Sequence, residues 1–150
     1  MKRLALILFC FVCIGTACAQ THKTINMTRK DFIEKVMDYE KGTDKWIYRG
    51  DKPCIIDFYT TWCGPCKRLA PILEELAAEY EGEIYIYKVD TEREPELAGL
   101  FGIRSIPTLL FCPMEGMPQM SRGLMPKENL IEAIEEVFGI KRDTQPSTTK

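Results

Sequence analysis

The stretch CIIDFYTTWCGPCKRLAP, residues 54 to 71, changes from one structural pattern to another at its centre. Residues 54–59 form an apolar run rich in β-branched and aromatic side chains, which predicts a buried strand. From about Cys63 to Tyr80 large apolar residues recur every three or four positions, which predicts a helix with one buried face. Cys63 and Cys66 therefore lie where a strand is followed by a helix.

The elements predicted around this unit complete an α/β domain. A second strand over residues 83–89 makes a right-handed parallel βαβ unit with the first strand and the helix. The other predicted elements are a short edge strand within 20–27, a capped helix from Thr28 and Asp31 to about Tyr39, a helix from Pro95 to near Gly102, a strand over 108–112, its hairpin partner over 119–123, and a last helix from Pro126 to Gly139.

The composition is that of one ordinary globular domain. The chain has 150 residues, of which 45% are apolar and 28% are charged, so it can bury a core. The formal net charge is −2 and no run of basic residues occurs, so we expect no nucleic-acid partner. We expect the domain to act as a monomer.

The N-terminus has the pattern of a secretory signal peptide. Lys2 and Arg3 precede an apolar run over residues 4–14, and Ala17 and Ala19 form the small-residue cleavage pattern. A membrane-spanning helix needs ~20 apolar residues, and this run is shorter. We therefore expect an exported, periplasmic protein with a signal peptide over 1–19, a folded domain over 20–140 and a mobile polar tail over 141–150.

The cysteines divide between the leader and the domain. Of seven cysteines, Cys10, Cys13 and Cys18 lie in the leader. Cys18 offers an alternative to cleavage, in which it is lipidated and the protein is an outer-membrane lipoprotein. The remaining four are too few for a disulfide-rich scaffold, so stapling a small core is not their main role.

The pair Cys63 and Cys66 has three interpretations. Simple packing is disfavoured because Trp62 and the intervening Gly-Pro predict an exposed turn. A zinc site needs four ligands, and the domain offers only one histidine, near its start, besides the cysteines. It would require Cys54 and Cys112 to meet the pair, so we expect no metal.

A redox couple explains this arrangement best. A thiolate, not a thiol, attacks a disulfide, and the start of a helix stabilises negative charge on a capping side chain. Cys63 should therefore be the nucleophile. Cys66, one turn later and facing inward, can close a disulfide with Cys63 and resolve a mixed disulfide.

Several segments together resemble the thioredoxin family, over about residues 24–139. The resemblance is carried by WCGPCK at 62–67, whose active-site turn comprises Trp62, Gly64, Pro65 and Lys67, by Asp57 six residues before Cys63, by Lys88 in the next strand, by Ile106-Pro107-Thr108 and by Gly123. It implies the thioredoxin fold, a central mixed β-sheet flanked by helices on both faces.

The resemblance also implies roles for these residues. Asp57 would be buried, with a raised pKa, and would accept the proton of Cys66. Lys88 would modulate Asp57, although an ordinary surface lysine is an equal alternative. A cis Ile106–Pro107 bond would present backbone to a substrate. The substrate-binding residues would be Trp62, Ile106, Pro107 and Gly123.

The activity implied is thiol–disulfide exchange, most readily reduction of protein disulfides. Gly-Pro between the cysteines resembles reducing members, whereas oxidising relatives place histidine there. An oxidant or isomerase and a redox-silent peptide-binding or zinc-binding module remain alternatives. The chain has no flavin or nucleotide motif, so we expect no cofactor and an electron donor that is membrane-embedded or periplasmic.

Five residues stand apart from this pattern or outside its site. Tyr59 stands where thioredoxins usually have a second tryptophan, and Ser105 and Arg122 depart from the usual groove residues, which affects substrate range. The thioredoxin arrangement places Cys54 and Cys112 as cross-strand neighbours far from Cys63. They are either small buried thiols, which is the commoner case, or a structural disulfide.

Overall fold

The computed structural model describes residues 24–42 and 45–142. Five strands form one sheet in the order β1-β3-β2-β4-β5, in which β1, β3 and β2 are parallel and β4 and β5 are antiparallel to their neighbours. The strands are β1 (Ile25–Asn26), β2 (Cys54–Tyr59), β3 (Tyr85–Asp90), β4 (Thr108–Cys112) and β5 (Gln119–Arg122). The helices are α1 (Arg29–Lys35), α2 (Gly64–Glu79), α3 (Pro95–Leu100) and α4 (Lys127–Phe138), and a 3₁₀ turn spans Tyr39–Lys41.

The alternation of side chains along β2 divides the core between the two faces of the sheet. Cys54, Ile56 and Phe58 pack with α1 and α3 on one face. Ile55 packs with α2 and α4 on the other, where the buried residues include Leu69, Leu73 and Leu76 of α2 and Leu130 and Ile134 of α4. The predicted mixed sheet with helices on both faces is confirmed, and its central strand ends at Tyr59, four residues before Cys63.

The first helix is shorter than predicted. The capping box of Thr28 and Asp31 is present, but α1 ends at Lys35 rather than near Tyr39. The reason is a long-range bond: the backbone N–H of Arg49 donates to the carbonyl of Val36 at 2.9 Å, so that carbonyl does not continue the helix. The completely buried Val36 fixes the chain at this point.

Two other boundaries also differ from the prediction. Strand β3 begins at Tyr85 instead of residue 83, because the N–H groups of Glu83 and Ile84 donate to the carbonyl of Tyr80. Helix α3 ends at Leu100, where the N–H of Ile103 turns back to the carbonyl of Ala98 at 2.8 Å. In both places a turn uses the donors that the pattern assigned to a strand or helix.

Both ends of the chain carry predictions that the described residues do not cover. The signal peptide over 1–19, lipidation at Cys18 and all but two residues of the tail over 141–150 lie outside the described residues. Within the described ranges, none of the helices has the length and apolar character required to cross a membrane.

Cys54 and Cys112 occupy directly opposed positions of the antiparallel pair β2–β4. Both are completely buried, and both are free thiols, as the commoner of the two interpretations expected. Hydrogen bonding with Cys54, together with burial, raises the pKa of the Cys112 thiol well above its usual range. The thiol of Cys112 therefore stays protonated and unreactive at neutral pH.

We expect Cys54 and Cys112 to remain unbonded in the oxidised protein. Denaturation without a reductant should let iodoacetamide modify both, because no disulfide blocks them, while Cys63 and Cys66 stay unmodified as an internal control. Peptide mapping by mass spectrometry reads all four sites. Unmodified Cys54 and Cys112, in peptides that separate only after reduction, would show that the pair is a structural disulfide.

Candidate active site

Cys63 and Cys66 form a disulfide at the N-terminus of α2, with their Cα atoms 5.3 Å apart. Cys63 is the N-cap residue, and its Sγ accepts a hydrogen bond from the backbone N–H of Cys66 at 3.2 Å. The exposed fractions of the two residues are similar, 4% and 3%, so exposure does not separate their roles. The cap does, because it places the sulfur of Cys63 at the positive end of the helix dipole.

The turn around the disulfide is exposed, as the sequence predicted. Trp62 is 67% exposed, and Gly64, Pro65 and Lys67 are also exposed. Pro65 occupies the first turn of α2, where a missing backbone N–H costs nothing. A protein partner can therefore reach the disulfide from the side of this turn.

Asp57 lies on β2 beneath the first turn of α2. It projects to the same face as Ile55, which packs on Leu69 and Leu73, and Cys66 lies one turn before Leu69. The side chain is 1% exposed and its Oδ1 has no hydrogen-bond partner. Burial raises the pKa of Asp57 to about 7, and the positive charge of Lys88 lowers it in part.

Lys88 is half-buried and lies directly opposite Asp57 in the parallel pair β2–β3. Its ammonium does not form an ion pair with Asp57 among the interactions of the described residues; it lies 4.7 Å from the centroid of the Tyr59 ring. The role of Lys88 as a modulator of Asp57, and the alternative of an ordinary lysine, both stay predictions.

The loop before β4 and the residue that follows β5 lie against each other. The Ile106–Pro107 peptide bond is cis, as predicted. The backbone N–H of Gly123 donates to the carbonyl of Pro107 at 2.8 Å, which holds the two segments together. Ile106 and Trp62 line one shallow cleft, so two of the four residues predicted to contact substrate share a surface.

Two features of this cleft were not predicted from the sequence. The indole Nε1 of Trp62 donates to a carboxylate oxygen of Glu92 at 3.0 Å, which orients the exposed ring. Thr60, which is 3% exposed, also lines the cleft, and its hydroxyl is without a partner. The bond between Trp62 and Glu92 could not be predicted from the local sequence, because the two residues are thirty positions apart. No cluster of three potential metal ligands occurs among the residues described.

Comparison with known proteins agrees with this geometry. The family model described as thioredoxin matches residues 23–136. The chain belongs to the thioredoxin family. It is 46% identical to the thioredoxin of Borreliella burgdorferi over 115 residues, which cover 77% of this chain and 97% of that protein.

Other thioredoxins match at similar coverage. The thioredoxin of Staphylococcus aureus is 47% identical over 113 residues, which cover 75% of this chain and 95% of that protein. The crystal structure of chloroplastic thioredoxin z matches with a TM-score of 0.62 at 25% identity, covering 77% of this chain and 94% of that one. The protein is thus a thioredoxin-fold thiol–disulfide oxidoreductase, and thioredoxins act on protein disulfides.

Proposed function

We propose that the protein reduces protein disulfides outside the cytoplasm, with Cys63 as nucleophile and Cys66 as resolving thiol. The observation that carries this proposal is the cap: the Sγ of Cys63 accepts the N–H of Cys66 at the helix start. Only Gly64 and Pro65 lie between the cysteines, so no histidine adds further stabilisation of the thiolate. A less stabilised thiolate favours giving electrons over keeping them.

The reaction has two exchange steps. The Cys63 thiolate attacks one sulfur of the substrate disulfide, forming a mixed disulfide and releasing the other substrate sulfur as a thiolate. Cys66 then loses its proton and attacks the Sγ of Cys63, which releases the second substrate thiolate. Two electrons leave the cysteine pair, the Cys63–Cys66 bond forms, and the substrate receives two protons from Cys66 and solvent.

Asp57 is proposed to accept the proton of Cys66, directly or through a water. It lies behind the thiols, and its pKa of about 7 lets it both accept and release a proton near neutral pH. Lys88 sets how far this pKa rises, because its positive charge favours the carboxylate.

The proposed substrate surface comprises Trp62, Ile106, Pro107 and Gly123. Trp62 supplies a large exposed aromatic face, and Ile106 lines the same cleft. Pro107 and Gly123 lie side by side, and the Cβ position of Gly123 has no neighbouring atom, so extended backbone can approach there. An unfolded segment around a disulfide fits this shallow surface better than a small molecule does.

Export is proposed from the leader pattern over residues 1–19. A monomeric periplasmic protein without its own cofactor would take electrons from a membrane-embedded or periplasmic donor. Mass analysis of the protein from the cell envelope should give a chain that begins at Gln20. A lipid-modified chain that begins at Cys18 would instead identify an outer-membrane lipoprotein.

Direction is tested by assaying one preparation both ways at neutral pH. We expect fast reduction of insulin disulfides with dithiothreitol as electron source, and slow oxidation of a reduced, unfolded protein with glutathione disulfide. In the matched variant Pro65→His the balance should move toward oxidation, because a histidine cation stabilises the thiolate. Faster oxidation than reduction by the unmodified protein would favour the oxidant or isomerase alternative; bound zinc with neither activity would favour the redox-silent one.

A further inference from the structure

Tyr59, Lys88 and Asp57 form a three-residue arrangement on one face of the sheet. Asp57 and Tyr59 are two residues apart on β2, and Lys88 is the register partner of Asp57 on β3. Side chains at alternate positions of a strand project to the same face. The Lys88 ammonium therefore lies on the same face of the sheet as the carboxyl of Asp57 and the ring of Tyr59.

The Lys88 ammonium lies over the ring of Tyr59. Its Nζ is 4.7 Å from the ring centroid, within the range of a cation–π contact. Asp57 is 1% exposed and its Oδ1 has no partner, although the lysine is directly opposite. A buried carboxyl beside an unpaired lysine would ordinarily attract it, so the arrangement requires a competing interaction.

We propose that Tyr59 is a positioning residue whose ring holds the Lys88 ammonium and keeps it out of an ion pair with Asp57. The positioning of Lys88 by Tyr59 does not depend on the proposed function. Only its expected effect on turnover rests on the proposed role of Asp57 as proton acceptor. An ammonium held in this position lowers the pKa of Asp57 less than a direct ion pair would.

The other charged group on this face of the sheet, Asp90, already has partners, unlike Asp57. From β3, Asp90 accepts the N–H of Glu92 at 3.0 Å and pairs with Arg93 at 3.7 Å. The opposing position on β4 is Leu109, which carries no charge. From the other elements around this face, β1 contributes Asn26, α2 contributes the disulfide of Cys63 and Cys66, and α4 contributes Leu130 and Ile134.

One further acid, Glu94, lines a second, smaller cleft together with Lys88 and Tyr59. Glu94 already accepts the backbone N–H of Arg29 at 3.0 Å. The Oδ1 of Asp57 is a buried carboxyl oxygen without a partner, so an ammonium freed from the ring should move toward it.

The test is a pH titration of the Asp57 carboxyl carbon by NMR in the oxidised protein, where Cys63 and Cys66 do not titrate. Tyr59→Leu removes the ring charge distribution but keeps an apolar cover. We expect the pKa of Asp57 to fall by about one pH unit or more in this variant. Tyr59→Phe keeps the ring and should leave the pKa unchanged. Asp57→Asn assigns the signal.

A double-variant cycle separates this effect from simple exposure to water. Lys88→Met alone should raise the pKa of Asp57, and Tyr59→Leu should then have no further effect in that background. An equal fall with and without Lys88, no fall in Tyr59→Leu, or a fall in Tyr59→Phe would each overturn the proposal.

A second measurement needs no destabilising substitution. The ε-CH₂ protons of Lys88 should be shifted upfield by the ring current in the unmodified protein and in Tyr59→Phe, and unshifted signals would overturn the proposal. Measurements of turnover separate the proposed role of Tyr59 from the proposed role of Asp57. If the pKa of Asp57 moves in Tyr59→Leu and the pH dependence of turnover does not follow, the role of Asp57 fails while that of Tyr59 stands.

Discussion

Cys63→Ser abolishes disulfide reduction, with an expected loss on the order of 10³-fold or more. The serine hydroxyl keeps the size of the side chain, but it is not ionised at neutral pH and cannot attack a disulfide. Cys66→Ser keeps the attacking thiolate and removes the thiol that resolves the intermediate. This second variant should therefore accumulate a mixed disulfide between Cys63 and its substrate, which non-reducing gels and mass spectrometry detect.

Cys112→Ala provides the matched control for both variants. It removes a buried thiol at the end of β4, whose register partner Cys54 begins β2 and so lies at the opposite end of that strand from Cys63. Turnover should be retained in this variant. Mixed disulfides that accumulate in Cys63→Ser and not in Cys66→Ser would reverse the two assigned roles.

Asp57→Asn should slow turnover at least about tenfold at neutral pH, because it removes the proposed proton acceptor. In the unmodified protein the rate should fall as pH decreases through about 7, where the carboxyl of Asp57 becomes protonated. That inflection should be absent from the variant, and the two rates should converge at high pH, where Cys66 ionises without help.

Asp90→Asn is the control for this pH profile. Asp90 is also a nearly buried carboxylate on the adjacent strand, but its oxygens have partners in Glu92 and Arg93. The inflection near neutral pH should persist in this variant. An Asp57→Asn profile with the same inflection as the unmodified protein would remove Asp57 from the mechanism.

The same carboxyl makes stability depend on pH. Its pKa is about 7 in the folded protein against 3.8 ordinarily, so the folded state binds this proton more tightly than the unfolded chain does. The free energy of unfolding should therefore fall as pH rises from about 4 to about 7, by about 4 kcal/mol, and stay level above. Urea unfolding at a series of pH values should show this fall in the unmodified protein and not in Asp57→Asn.

The strands and the cysteine site could be predicted because their signals are local. β2 is an apolar run that follows Pro53, β4 is an apolar run between Pro107 and Pro113, and both have the predicted limits. Cys63 could be placed as a helix cap from the change of periodicity at that point, and the structure confirms the cap. The end of α1 could not be predicted, because it depends on a bond between Val36 and Arg49, which the fold brings together.

Around Asp57, too, the features with a local sequence pattern could be predicted, and those that depend on contacts between strands could not. Apolar neighbours on both sides predicted its burial, since few solvent-facing acids lie within such a run. The position of Lys88 remained open between two interpretations, because sequence gives neither strand register nor side-chain direction. Strand register and side-chain direction are both required to predict the contact between Lys88 and Tyr59. The sequence shows that Tyr59 replaces the usual tryptophan, but it does not show that the Tyr59 ring contacts Lys88.

The direction of electron flow is the central claim, and the equilibrium reduction potential of the Cys63–Cys66 pair against glutathione tests it most directly. The protein is equilibrated with defined ratios of reduced and oxidised glutathione, and the fraction of oxidised protein is read after acid quenching and alkylation. We predict a potential near the value of about −270 mV that is typical of thioredoxins, which makes the pair a reductant. A potential above about −180 mV, toward the value of about −120 mV typical of a strong oxidant, would contradict the account.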